Sequence, residues 1–132
     1  MKKEVQGWLQ VAKEDFESAK HLLEKQIFRM ACYHSQQSTE KALKALIANK
    51  GHKVKRIHNL IDLKEEAKGL GYAIDFSEEE AAFLNSVYLS RYPPEVGLLD
   101  KGEPTKDDAL KALKITEKVM ECVNRFFIKQ AN

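Results

Sequence analysis

His34, His58 and Arg91 have the side-chain types that suit proton transfer and phosphate stabilisation, and they are the candidate catalytic residues of this chain. Histidine gives or takes a proton near neutrality, and arginine grips phosphate oxygens through a planar fork of N–H donors. A second set is purely electrostatic. Lys41, Lys44, Lys50, Lys53, Lys55 and Arg56 follow one another with no acidic residue until Asp62, and His52 and His58 sit among them. Cations on a turn led by Gly51 suit the phosphates of RNA or of a nucleotide, held by charge-assisted hydrogen bonds. The alternative is a solvated basic loop balanced by Glu78, Glu79 and Glu80. Arg91 stands in Tyr88-Leu89-Ser90-Arg91-Tyr92-Pro93-Pro94, where structural anchoring at a helix C-terminus and ligand binding both remain open. The candidate ligand-binding residues are Lys41, Lys44, Lys53, Lys55, Arg56, Arg91 and Tyr92.

The stretch Cys32-Tyr33-His34-Ser35-Gln36-Gln37-Ser38-Thr39-Glu40-Lys41-Ala42-Leu43-Lys44-Ala45-Leu46 places polar groups where a simple core helix would carry aliphatics. At 100° per residue, Gln37, Glu40, Lys41 and Lys44 lie away from the centre of its apolar stripe, and His34 lies toward one flank. Two roles fit these residues. They are half-buried and hydrogen-bonded to neighbouring helices, or His34, Gln37 and Lys41 line a groove shared with another chain. Ala31, Ser35, Ser38, Thr39, Ala42 and Ala45 are small enough for close helix approach in either case.

The elements that position these groups are helices. Val5, Trp8 or Leu9, Ala12, Phe16, Ala19 and Leu23 follow spacings of three and four, predicting an amphipathic helix over about 3–25. A second helix runs from Phe28 to Asn49-Lys50-Gly51, where Gly51 suits the left-handed C-terminal conformation, and its short link from Lys25 favours an antiparallel neighbour. A third, shorter helix covers about 58–68. Ser77 with Glu80 forms a capping box for a fourth, ended by Pro93-Pro94, and Thr105 with Asp108 caps the last. The segment from Tyr92 to Pro104 carries all three prolines and is expected to form a loop over the bundle end. The fold class is all-α: a single domain over 1–132, an up-and-down antiparallel bundle of four main helices plus a short fifth.

Composition bounds the function. A chain of 132 residues at 43% apolar content buries a real core without staples, and a net charge of +2 does not by itself mark a nucleic-acid binder. Cys32 and Cys122 stand outside any CxxC pattern and suit buried, reduced thiols. No apolar signal core or membrane-length run is present, so a cytoplasmic location and no membrane partner are expected. A di-iron bundle would need Glu-x-x-His pairs, and none of the four histidines has a glutamate three residues earlier. HExxH, the P-loop, GxGxxG, GxSxG and the EF-hand loop are also absent, and no metal or cofactor is expected.

Tyr33 to Leu46, then Ile57-His58-Asn59-Leu60, then Ser90-Arg91-Tyr92-Pro93 resemble, in order and spacing, the HEPN family of higher eukaryote and prokaryote nucleotide-binding domains. The resemblance covers nearly the whole chain. It implies a helical bundle that usually dimerises, often encoded beside a minimal nucleotidyltransferase and linked to nucleotide binding or toxin–antitoxin systems. Many members are metal-independent ribonucleases that use Arg, four to six residues, then His, in a cleft between two protomers. Here Arg91 is followed by Tyr92, Pro93, Pro94, Glu95, Val96, Gly97 and Leu98, with no histidine in that window. Arg29 and His34 fit the bare spacing, but they lie on the early helix and about 140° apart around it.

The leading expectation is a non-catalytic HEPN binding module, a homodimer, engaging a nucleotide, RNA or a nucleotidyltransferase partner through the 41–58 region and Arg91. No sequence-specific DNA binding is expected. The first alternative is a ribonuclease toxin with an atypical site built from His34, His58 and Arg91. The second is a helical adaptor that only oligomerises.

Overall fold

The structure is a computed structural model and describes residues 1–96 and 102–131. Five α-helices follow one another: α1 (Lys3–Glu24), α2 (Phe28–Asn49), α3 (Leu60–Gly69), α4 (Glu78–Tyr88) and α5 (Lys106–Ala131), with single 3-10 turns at Leu89–Arg91 and Pro94–Val96. Among the described residues there is no strand. No helix there is long and apolar enough to cross a membrane.

The small residues of α2 do what their size allows. Ser38 Oγ donates to the Ala12 carbonyl of α1 at 2.7 Å, and Thr116 Oγ1 of α5 donates to the Ser35 carbonyl at 2.9 Å while lying 3.0 Å from Thr39 Oγ1. These bonds place a backbone carbonyl of one helix directly against its neighbour, which only short side chains permit. With Tyr33 against Tyr88, and Glu80 against Lys118, they set the course of the chain: α1 and α4 run opposite to α2 and α5. The expected up-and-down bundle is the observed one, with α3 as the short additional helix.

Helix α2 sits at the centre of the bundle. Between residues 31 and 48 every position is buried except Tyr33, His34 and Lys41. Around it gather Val5 and Ala12 of α1, Leu60 and Leu63 of α3, Leu84 of α4, and Val119 and Val123 of α5, all fully buried.

Local chemistry fixes the ends. Gly51 takes φ 76°, closing α2 as its position predicts. Ser77 and Glu80 exchange side-chain to backbone bonds of 3.0 and 2.9 Å, and Thr105 and Asp108 do the same at 3.1 and 2.9 Å. The third helix begins two residues later than its sequence pattern predicts. Asn59 is its cap, accepting from the Ile61 N–H, and Asn59 and Asn85 are joined through Asn85 Nδ2, while Asn85 Oδ1 accepts from the Leu60 N–H. The pairing leaves His58 outside the helix, on the connection before it. The loop expected over 92–104 is described only at its ends, since 97–101 lies outside the described residues; at its far end Glu103 bonds Arg29 at 2.8 Å.

Both cysteines are free and buried. Burial, with the Asp108 charge, pushes the Cys32 thiol up to about 12, so it is an inert core group.

Replacing Thr116 with Val keeps the shape of the α2–α5 contact and removes its hydroxyl. A loss of about 1–2 kcal/mol is expected in urea unfolding, and an unchanged midpoint would show that the hydroxyl network does not hold these helices together.

Candidate functional site

The site is built around one carboxylate. Glu40, 1% exposed in the middle of α2, is surrounded by donors: His58 Nδ1 at 2.8 Å, Lys44 Nζ at 3.1 Å, Gln36 Nε2 at 3.4 Å and Gln37 Nε2 at 3.5 Å, with Lys41 Nζ at 3.6 Å. Burial alone would push this carboxyl group up. The His58 hydrogen bond and the Lys44 and Lys41 charges outweigh it and hold Glu40 below the usual carboxylate range. The glutamines extend the network, since Lys41 Nζ donates to Gln37 Oε1 at 2.7 Å, Gln37 Nε2 to Gln36 Oε1 at 2.7 Å, and Gln36 Nε2 to the His58 carbonyl at 3.2 Å.

An ionised Glu40 can only accept, so the His58 proton sits on Nδ1 and Nε2 is left for another partner. The imidazole is half exposed at 54%, and its ring stacks on Tyr88 at 5.2 Å. Tyr88 also stacks on Tyr33 at 6.0 Å, and Tyr33 meets the His34 ring edge-on at 5.3 Å. The Arg91 guanidinium lies 3.9 Å from the centre of the Tyr88 ring and 4.3 Å from that of Tyr92. It donates to the Tyr88 carbonyl at 2.9 Å and to the Tyr92 hydroxyl at 2.7 Å. His34, His58 and Arg91 are thus joined through one row of ring contacts. Burial raises the Tyr88 phenol, with Arg91 opposing and Glu40 reinforcing, so it stays a neutral hydroxyl.

The cavity of about 630 Å³ between α1 and α5, floored by Leu9, Phe16 and Met120, contains none of these groups. Among the described residues, no group of three or more His, Cys, Asp or Glu side chains is placed to hold a metal ion.

The HEPN domain family matches residues 5–126. The chain belongs to the HEPN family. It is 34% identical to the candidate toxin MJ1304 of Methanocaldococcus jannaschii, over 87% of this chain and 82% of that protein. Its fold is similar to that of TT1696 from Thermus thermophilus, with a TM-score of 0.77 and 27% identity over 94% of this chain and 98% of that one. ST0689, an archaeal HEPN homologue, shares the fold at a TM-score of 0.66 and 23% identity, over 94% and 97% of the two chains.

Within this HEPN domain the sequence candidates separate. Lys53, Lys55 and Arg56 are exposed on the α2–α3 connection, Tyr92 is exposed, and Arg91 and Lys41 are half-buried. Lys44 does not belong to that basic edge. It is 4% exposed, paired with Glu40 and covered by Trp8 of α1, whose ring centre lies 5.6 Å from Nζ. Glu40 is fully buried rather than half-buried, as is its neighbour Gln36, because α1 and the His58 connection close over that side of α2. Arg29 and His34 have separate partners, Glu103 for the first and Asp15 for the second, each at 2.8 Å.

Asp15 is the site residue that sequence reasoning missed, and Trp8 reads from the sequence only as a possible member of the apolar stripe of α1. No local motif links either residue to α2. Glu40 carried a signal: it is the last acid before the basic run and stands four residues before Lys44, the favourable order for a helical ion pair.

Replacing Glu40 with Gln removes the counter-charge of a buried lysine, and a loss of about 3–5 kcal/mol is expected in urea unfolding at pH 7. The native carboxyl group titrates below its ordinary 4.5, so its contribution is complete above that value and is lost as pH falls through the lower folded one. The difference between the two proteins should therefore shrink below pH 4.5. A constant difference down to pH 3 would contradict this assignment.

Proposed function

We propose that this HEPN domain binds the phosphate groups of RNA or of a nucleotide on the face made by Arg91, Tyr88, Tyr92 and His58. The observation that carries the reading is the guanidinium of Arg91, stacked between two tyrosine rings and tied by one N–H to each of two fixed oxygens. Its remaining N–H donors have no carboxylate partner among the described residues. A planar fork fixed in this way is suited to a phosphate, because little side-chain freedom is left to lose on binding. Lys53, Lys55 and Arg56 lie exposed on the connection that carries His58 and add a screened, sequence-independent attraction for a polyanion. In this reading the domain works as a homodimer beside a nucleotidyltransferase partner, as the family resemblance implies.

A second reading is favoured by one observation, the His58–Glu40 pair. An imidazole held through Nδ1 by a carboxylate, with Nε2 open and an arginine on the same aromatic row, has the parts of a general base beside a phosphate-stabilising cation. The name of MJ1304, a candidate toxin, supports the toxin part of this reading.

Fluorescence anisotropy with labelled single-stranded RNA, at two salt concentrations, tests the first reading. Arg91→Ala should weaken binding by about 10–100-fold. Equal affinity of the variant and the parent would remove Arg91 from the site. The same RNA incubated with the protein in EDTA tests the second: cleavage lost in His58→Gln would make the domain a nuclease, and intact RNA would leave it a binding module.

A further inference from the structure

The central helix is open to solvent at one place. Between residues 31 and 48, only Tyr33, His34 and Lys41 escape burial, and Gln37 lies among them at 8% exposure. These four residues fall within about 100° of arc and about 12 Å of helix axis, so they form a single elongated window. Helix α1 borders it through Asp15 and through Trp8, which covers Lys44. On the other border stand Tyr88 and, stacked on it, Arg91.

The window is polar and already ordered. Lys41 Nζ is oriented by Gln37 Oε1 at 2.7 Å, and His34 Nδ1 by Asp15 Oδ1 at 2.8 Å. Lys41 also lies 3.6 Å from Glu40, but that carboxylate is shared with Lys44 and His58. Lys41 and Lys44 therefore share the single carboxylate of Glu40, while Asp15 is engaged by His34. An ammonium group with N–H donors to spare, set at the surface of an otherwise closed helix, is short of an anion.

We infer that Lys41 is a second phosphate subsite on this window, whose other border carries the stacked Tyr33 and Tyr88 rings and Arg91. The inference rests on Arg91 binding phosphate, and it names the ligand. Two cations at a window bordered by an aromatic row match a nucleotide base with a phosphate on each side, so the ligand is a single strand carrying at least two phosphates rather than a mononucleotide.

Three probes test it by calorimetric titration of the full chain: adenosine 5′-monophosphate, the dinucleotide ApA with one internal phosphate, and pApA with two. The expected result is that pApA binds about 10-fold tighter than either of the others. Lys41→Met should erase that advantage without changing the affinity for the monophosphate, and Lys41→Arg should retain it. The emission of Trp8, which lies over the Glu40–Lys44 pair, reports whether each variant keeps the fold. If pApA binds no tighter than the monophosphate while Arg91→Ala weakens both, the second subsite is overturned and the Arg91 reading stands. If Lys41→Met weakens the monophosphate equally with native Trp8 emission, Lys41 belongs to a single phosphate site and the inference fails. If Arg91→Ala changes nothing while the Lys41-dependent advantage of pApA persists, Lys41 pairs with a phosphate site other than Arg91, and both the Arg91 reading and the inference as stated fall. No binding of any probe would overturn both.

Discussion

The carboxylate of Glu40 is the group on which the rest of the molecule depends. A charge at 1% exposure is tolerated only when its lost hydration is replaced, and here the replacement comes from three directions at once: Lys44 and Lys41 from the same helix, the glutamines beside it, and His58 from the next connection. The lysine that neutralises it is itself buried and roofed by Trp8, so α1 cannot shift over α2 without uncovering the pair. His58, in turn, can reach Glu40 only because the Asn59–Asn85 pairing starts α3 where it does. One ion cluster therefore couples α1, α2, α3 and the end of α4.

Such a cluster is an expensive way to hold a bundle together. Apolar residues of similar volume commonly stabilise a core as well as a buried ion network does, or better. Its value here lies in position rather than stability. Through Nδ1 it fixes the imidazole of His58, the imidazole stacks on Tyr88, and Tyr88 supplies both the ring and the carbonyl that hold Arg91. A buried charge on the central helix thereby sets the orientation of an arginine at the end of another.

Much of this was legible in the sequence, and the limits have physical causes. Period, caps and breakers act within a few residues, so Ser77 with Glu80, Thr105 with Asp108, and Gly51 identify the helix ends directly. Register between helices depends on non-local contacts, which local pattern does not carry. Lys44 reads as part of an exposed basic edge because helical angle shows which face a residue occupies, not which helix covers that face; the covering residue, Trp8, is far away in sequence. His34 reads as a candidate without a partner for the same reason, since Asp15 reaches it from α1. The start of α3 at Leu60 rather than His58 depends on Asn85, which only the folded chain brings near.

The position of the histidine on the row bears on what the site can do. A histidine following Arg91 on its own helical segment would move with that arginine. Here the imidazole comes instead from the α2–α3 connection and is anchored in the core, while Arg91 is anchored to the last turn of α4. The two are held by different elements, and the Tyr88 ring is the surface that both contact. A ligand that meets both groups finds them already placed, so its binding energy is not consumed in ordering side chains. The same arrangement penalises change at the ring. Removing the Tyr88 side chain would take away the surface on which both His58 and Arg91 rest, whereas loss of either polar group alone would leave the other in place. The aromatic residue, which carries no charge and transfers no proton, is therefore the one that makes the polar residues a single site.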